Sequence, residues 1–179
     1  MGADFTTKVW TLHGLVTYYT VFVIELQSRR VHILGSTPHL NEAFMLQIAR
    51  QFTDPTDRVG NGPRVLLCDR DQKWSTAVRH LLETSGVRVI QTPCRAPNCN
   101  AHAERFVRSI KEECLNRVIP LGEGHFRRTL AEFVAHYHRE RNHQGLSNEL
   151  IDGNPDARHS GAVRRRQRLG LLSFYHRAA

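Results

Sequence analysis

The chain has 179 residues, 40% of them hydrophobic, with 25 Lys and Arg against 17 Asp and Glu, a net charge of +8 and a pI near 9.9. That length carries one core without disulfides, and the absence of a long apolar run excludes a membrane-spanning segment as an expectation. The basic balance points to a polyanionic partner, with nucleic acid favoured over a lipid surface because no basic amphipathic helix with aromatic anchors is present.

The first seven residues, MGADFTT, read as a short piece with Asp4 at the end of a brief β-type run. Val16 to Leu26 is rich in β-branched and aromatic residues and reads as a strand; Val31 to Ser36 reads as a second, so the two form a hairpin across a polar turn. Asn41 reads as the N-cap of a helix whose inner face carries Phe44, Met45, Ile48, Ala49 and Phe52. Residues 53–63 read as a loop. Arg64 to Cys68 is a short apolar run of the kind buried on both faces of an α/β sheet, and Asp69 follows it directly.

A helix over Ser75 to Thr84, a strand over Val87 to Gln91 and a loop over Thr92 to Asn100 come next. From Asn98 to Arg117 the apolar positions Ala103, Phe106, Val107, Ile110 and Cys114 recur at helical spacing. The opposite face of that helix carries Glu104, Arg108, Lys111 and Leu115. A last long helix spans about Phe126 to Arg139, with Leu130, Phe133, Val134 and Tyr137 inward. Beyond it, Ala157 to Ala179 holds Arg158, Arg164, Arg165, Arg166, Arg168 and Arg177 and no acid. Arg164 to Arg168 is expected to be a solvated end, while the apolar LGLLSFY segment is expected to dock on the core or on a neighbour.

Some residue types are expected to be structural. Cys94, Cys99 and His102 have a spacing compatible with zinc, but no fourth ligand is evident, and the four cysteines are expected to be incidental or buried thiols in a reduced setting. Trp10 and Trp74 are expected to pack, and His136, His138 and His143 to lie at the surface or a helix end.

Three acids then stand out: Asp4, Asp69 and Glu104. Hard divalent ions take carboxylate oxygens, and a pair of such ions can activate an attacking hydroxyl and stabilise the leaving oxygen of a phosphodiester. A lone Asp after a strand is usually a turn former, so the case rests on all three together. Asp71 is a rival for the second position, with the same strand parity as Asp69 but further into the loop.

The segments ADF, SRRVHILG, LLCDRDQKWS, TPCRAPNCNAHAERFVRSIKEECLNR and HYHRERNHQGL together resemble the integrase catalytic core of bacterial insertion-sequence transposases. The N-AHAERF-R--K-EC segment is the most specific of these. The resemblance implies a ribonuclease H-like α/β fold, with a mixed five-stranded sheet flanked by helices over residues 1–150 and a basic extension over 151–179. It implies an Asp-Asp-Glu triad of Asp4, Asp69 and Glu104 holding two Mg²⁺ or Mn²⁺ ions. Thirty-four residues separate the last two, close to the spacing usual in that family. It implies metal-dependent DNA cleavage and strand transfer, as in DNA integration and transposition. Arg105, Arg108, Lys111 and Arg141 would contact DNA. The implied partners are double-stranded DNA at element ends and target, further copies of the chain, and a separate helix-turn-helix subunit or N-terminal region; the setting would be cytoplasmic, on the nucleoid, with no membrane. Asn142 departs from the proline usual at its position, which weakens a specific role for His143. Because Met1 stands three residues before Asp4, the alternative expectation is a truncated, inactive remnant that binds DNA or oligomerises. A nuclease acting on RNA–DNA hybrids is a third reading, less favoured because no fourth active-site acid is obvious.

Overall fold

A computed structural model of the protein describes residues 1–54, 64–93, 100–153 and 160–178. Most of the expected loops at 53–63 and 92–100, with Cys94 and Cys99, lie outside the described residues, as do 154–159.

The chain opens with β1 (Gly2–Thr11), which pairs antiparallel with β2 (Gly14–Ile24); β2 pairs antiparallel with β3 (Val31–Thr37). β1 is longer than its composition suggests. Ala3, Phe5, Thr7 and Val9 are buried while Thr6, Lys8 and Trp10 face outward, an alternation of period two. Asp4 therefore sits near the start of a ten-residue strand and not at the end of a short one. It lies opposite Val21, where the β2–β3 ladder shifts register between Val21 and Phe22. Bulges of this kind re-aim side chains next to functional positions.

Helix α1 (Glu42–Thr53) begins where expected: the Asn41 side chain accepts the Phe44 N–H at 2.9 Å. β4 (Arg64–Cys68), α2 (Thr76–Thr84) and β5 (Val87–Gln91) form a parallel crossover unit, with Ser75 capping α2. β4 is not buried on both faces: Leu66 and Cys68 are inside, while Val65 is exposed. α3 (Ala101–Ile110) runs into a widened π turn (Lys111–Leu115), then α4 (Gly122–Arg139) and a short 3₁₀ turn (Gln144–Leu146).

The expected single five-stranded sheet is not what the described residues form. β1–β2–β3 is one hydrogen-bonded sheet and β4–β5 is another, with β4 running beside β1. The fold is mixed α/β. One apolar cluster joins β1 and β2 to α3 and α4 through Phe5, Phe22, Phe106, Phe133 and Tyr137, and the Phe106 ring lies 4.9 Å from Phe22. A second cluster, with Val21, Met45, Ile48, Trp74 and Leu82, packs α1 and α2 on the other side.

Arg164, Arg165 and Arg166 are exposed, as expected of a solvated run, but the basic end is built into regular structure. β6 (Val163–Arg168) and β7 (Leu172–Arg177) form an antiparallel hairpin. The apolar segment does dock: Leu172 is buried in the first cluster. Arg168 reaches Glu132 and Glu140 of the α4 region, each at 2.5 Å. Other expectations also change. His136, His138 and His143 are buried, because each finds a partner inside: Glu140, the Val31 N–H and the Tyr137 carbonyl. Trp74 packs in the core, but Trp10 is half exposed. Leu115, expected outward, is buried because the π turn rotates it inward.

Candidate active site

Two of the three acids meet. Asp4 is carried on β1, and Asp69 follows the last residue of β4. The adjacency is fixed by Trp74, whose ring lies so close to Gly2 that a Cβ there would stand 2.9 Å from it. Glycine at position 2 is what lets the β4–α2 connection press onto β1. Beyond β4 the ladder is tied off by the Thr92 N–H to the Cys68 carbonyl, at 2.9 Å, and by Arg70 to the Thr92 carbonyl, at 3.1 Å.

Between the two carboxylates stands Lys73, which the sequence reading did not single out. Its side chain is 4% exposed, and its Nζ lies 2.7 Å from Asp4 Oδ1 and 3.0 Å from Asp69 Oδ2, with Asp71 Oδ2 further off at 3.5 Å. Burial pulls the ammonium pKa down, but the hydrogen bonds and charges of Asp4 and then Asp69 outweigh it and hold the group above its ordinary value. The loop is shaped by its own side chains: Asp69 Oδ1 accepts the Asp71 N–H, and Asp71 Oδ1 accepts the Lys73 N–H. Asp71 is thus a turn former at the edge of the cluster, and Asp69 is the acid facing Asp4. The signal for Lys73 was its place four residues after Asp69, hidden because the intervening residues form a turn rather than a helix.

Glu104 is not brought into this cluster. It is exposed in the first turn of α3, a position where a carboxylate also complements the helix dipole. α3 itself is seated beside β1 and β2 by Ala103, Phe106 and Ile110. Among the described residues no group of three or more His, Cys, Asp or Glu side chains is arranged to hold a metal ion. The donor chemistry of Asp4 and Asp69 nevertheless suits a cation, since their oxygens already converge on one.

The cations expected to meet DNA fall into different settings. Arg108 and Arg105 are exposed on α3. Lys111, after the helix changes winding, lines a groove of about 460 Å³ with Lys8 and Trp10. Arg141 is engaged within the chain: its guanidinium donates to Glu113 at 3.0–3.2 Å and stacks 5.6 Å from the Tyr137 ring centre. Cys68 and Cys114 are buried free thiols, each pushed up to about 11, first by burial and then by the neighbouring Asp69 or Glu113. They are inert at neutral pH.

Residues 85–149, from before β5 to just beyond the 3₁₀ turn, match the family model described as the integrase core domain. This stretch is similar to the integrase core domain. The matched stretch contains Glu104 and Arg141 but neither Asp4 nor Asp69. The chain is also similar in fold to a chain in the cryo-electron microscopy structure of a simian T-cell lymphotropic virus intasome in complex with the PP2A regulatory subunit B56 gamma. That likeness has a TM-score of 0.60 at 10% identity and takes in 97% of the present chain and 65% of the viral one. The chain therefore spans less than two thirds of the length of that relative. Among curated proteins compared by sequence, none matches.

Proposed function

We propose that this integrase-type core cleaves DNA phosphodiesters and joins the freed 3′ end to target DNA in a divalent-metal-dependent reaction. The observation that carries the reading is the meeting of Asp4 and Asp69, from separate strands, on a single cationic centre at 2.7 and 3.0 Å. The family match over α3, which contains Glu104, supports it. Asp4 and Asp69 would hold the metal, Mg²⁺ or Mn²⁺, and Glu104 would complete its ligands from α3. Two such ions supply an activated attacking hydroxyl and a stabilised leaving oxygen. The chain's own part is positional. β1 and β4 are neighbouring strands of separate sheets that hold the two carboxylates in fixed places, and Arg108 and Lys111 offer charge to phosphates without reading bases. The β1–β4 adjacency fits the strand order of a ribonuclease H-like sheet, β3–β2–β1–β4–β5. Double-stranded DNA, further copies of the chain and a separate sequence-reading region are the partners this reading needs, and nucleoid DNA in the cytoplasm is its setting.

One observation favours a second reading. Among the described residues Glu104 does not join Asp4 and Asp69 in a metal-holding group, and Lys73 already neutralises those two. A chain fixed in that arrangement would bind DNA or oligomerise without cutting it. Supercoiled plasmid incubated with the protein and Mn²⁺ separates the two. Relaxed circles that vanish with chelator, and with either Asp69→Asn or Glu104→Gln, are expected. Nicking that survives Glu104→Gln sinks the cutting assignment.

A further inference from the structure

Away from the carboxylates, three parts of the chain enclose a cavity of about 480 Å³. The turn after β2 contributes Arg29, the first turns of α3 contribute His102 and Arg105, and the segment after α4 contributes Arg141 and His143. Among the described residues lining it there is no Asp or Glu, and none of the candidate catalytic acids. Among the described residues the single acid bound to a lining cation is Glu113, on Arg141. The side chains of Arg29 and Arg105 have no acidic partner among the described residues. Three guanidiniums face one carboxylate, so positive charge is in excess at the cavity.

This concentration is built. Arg29 holds φ +62, in the left-handed region that a residue with a Cβ adopts only under strain. Its N–H is tied to the Glu25 carbonyl at 2.9 Å, which fixes the turn. The Glu25 carboxylate is itself occupied by Ser28 and His32. Arg141 is pre-set by its Glu113 fork and by the Tyr137 ring. His143 is buried, and its Nε2–H donates to the Tyr137 carbonyl at 2.7 Å. The charges act on one another across the cavity: burial and then Arg29 and Arg105 hold the His102 imidazole below its ordinary pKa. Asn100 makes no side-chain cap bond to α3, so the positive end of that helix adds to the same field.

Like charges gathered without counter-acids repel unless an anion joins them. Planar guanidinium forks from separate elements suit the several oxygens of a phosphate. We infer that this cavity is a phosphate seat, and that it holds a backbone phosphodiester of duplex DNA beside the exposed face of α3 that carries Glu104. The assignment of DNA rests on the function proposed above; the seat itself rests on Arg29, Arg105 and Arg141.

The test is fluorescence anisotropy of a labelled random-sequence duplex against a potassium chloride series, with inorganic phosphate as a second probe followed by the His102 ring signals in NMR. Arg29→Gln and Arg105→Gln are each expected to weaken duplex binding roughly tenfold and to reduce the salt slope by about 0.9. Arg29→Gly, which relieves the left-handed strain and so folds at least as well, is expected to lose the same affinity; Arg29→Lys is expected to regain part of it. Inorganic phosphate is expected to shift the His102 signals and to be displaced by duplex. If the wild-type chain binds duplex and the Arg29 and Arg105 variants bind it with unchanged affinity and slope, the seat is overturned while the DNA reading stands. If phosphate shifts His102 and duplex neither binds nor displaces it, the cavity serves a small free anion, and the DNA assignment falls together with the proposed function.

Discussion

Lys73→Met removes the ammonium between Asp4 and Asp69 and keeps most of the buried stem. The two carboxylates then face each other with no cation. Breaking a fully buried ion pair costs about 3–5 kcal/mol. Here the Asp4 and Asp69 side chains keep 21% and 36% of their exposure, so water offsets part of the loss. A cost of about 2 kcal/mol is expected. In a chain of 179 residues that corresponds to a fall in Tm of roughly 4–8 °C. The sign with pH follows from the raised pKa of Lys73: the contribution is fully present below the unfolded value of about 10.4 and lost as pH rises through the folded one. The measurement is a double-mutant cycle with Asp4→Asn by urea unfolding at neutral pH. The pair should be less destabilised than the sum of the single variants by at least about 1 kcal/mol. Additivity within about 0.5 kcal/mol would refute the claim that one cation holds the two acids together.

His138 accepts the Val31 N–H through Nε2, and burial, more than the nearby Arg30, lowers its pKa to about 4. The neutral ring is the folded form, so this contribution is complete above pH of about 6.5 and is lost as pH falls towards 4. The shift corresponds to about 3 kcal/mol, and His138→Asn should flatten the acid limb of a stability–pH curve between those values. Arg168→Ala frees Glu132 and Glu140 and should cost about 1–2 kcal/mol, with limited proteolysis releasing the β6–β7 hairpin before the remainder is cut. Gly35→Ala places a methyl 2.8 Å from Ile48 Cδ1 and 3.0 Å from a Phe44 ring carbon, so α1 must shift off β3. A cost of about 1–2 kcal/mol by thermal unfolding is expected, relieved by the added substitution Ile48→Val.

Elements whose apolar residues recur cleanly were legible from composition and spacing. β2, β3, α1 and α2 begin and end within a few residues of where the pattern puts them, and the Asn41 and Ser75 caps explain why. β1 was not legible beyond its first residues, because Thr7 takes an inward position and Lys8 and Trp10 interrupt the apolar reading. The β6–β7 hairpin was hidden for a related reason. β6 is nearly all polar, and what holds it is an ion pair to α4 and a single buried leucine on its partner strand. At the site, the place of Asp69 follows from a strand end that the sequence marks, whereas Asp4 sits near the start of β1. Lys73 is not so marked, because its role depends on how a turn folds back over β1. The burial of His136, His138 and His143 was likewise invisible: an imidazole enters a core when a carbonyl, an amide or a carboxylate waits there, and that depends on the packing of distant segments.

The wide winding at Lys111–Leu115 fits one more residue into the coil than an α-helix would. Leu115 reaches the interior because of it, while Ile110 and Cys114 stay on the inward face. Deleting any one residue here would restore regular winding and expel an apolar group on one side of the cut. Shortening at the middle of this rod would unseat the very segment that presents Glu104.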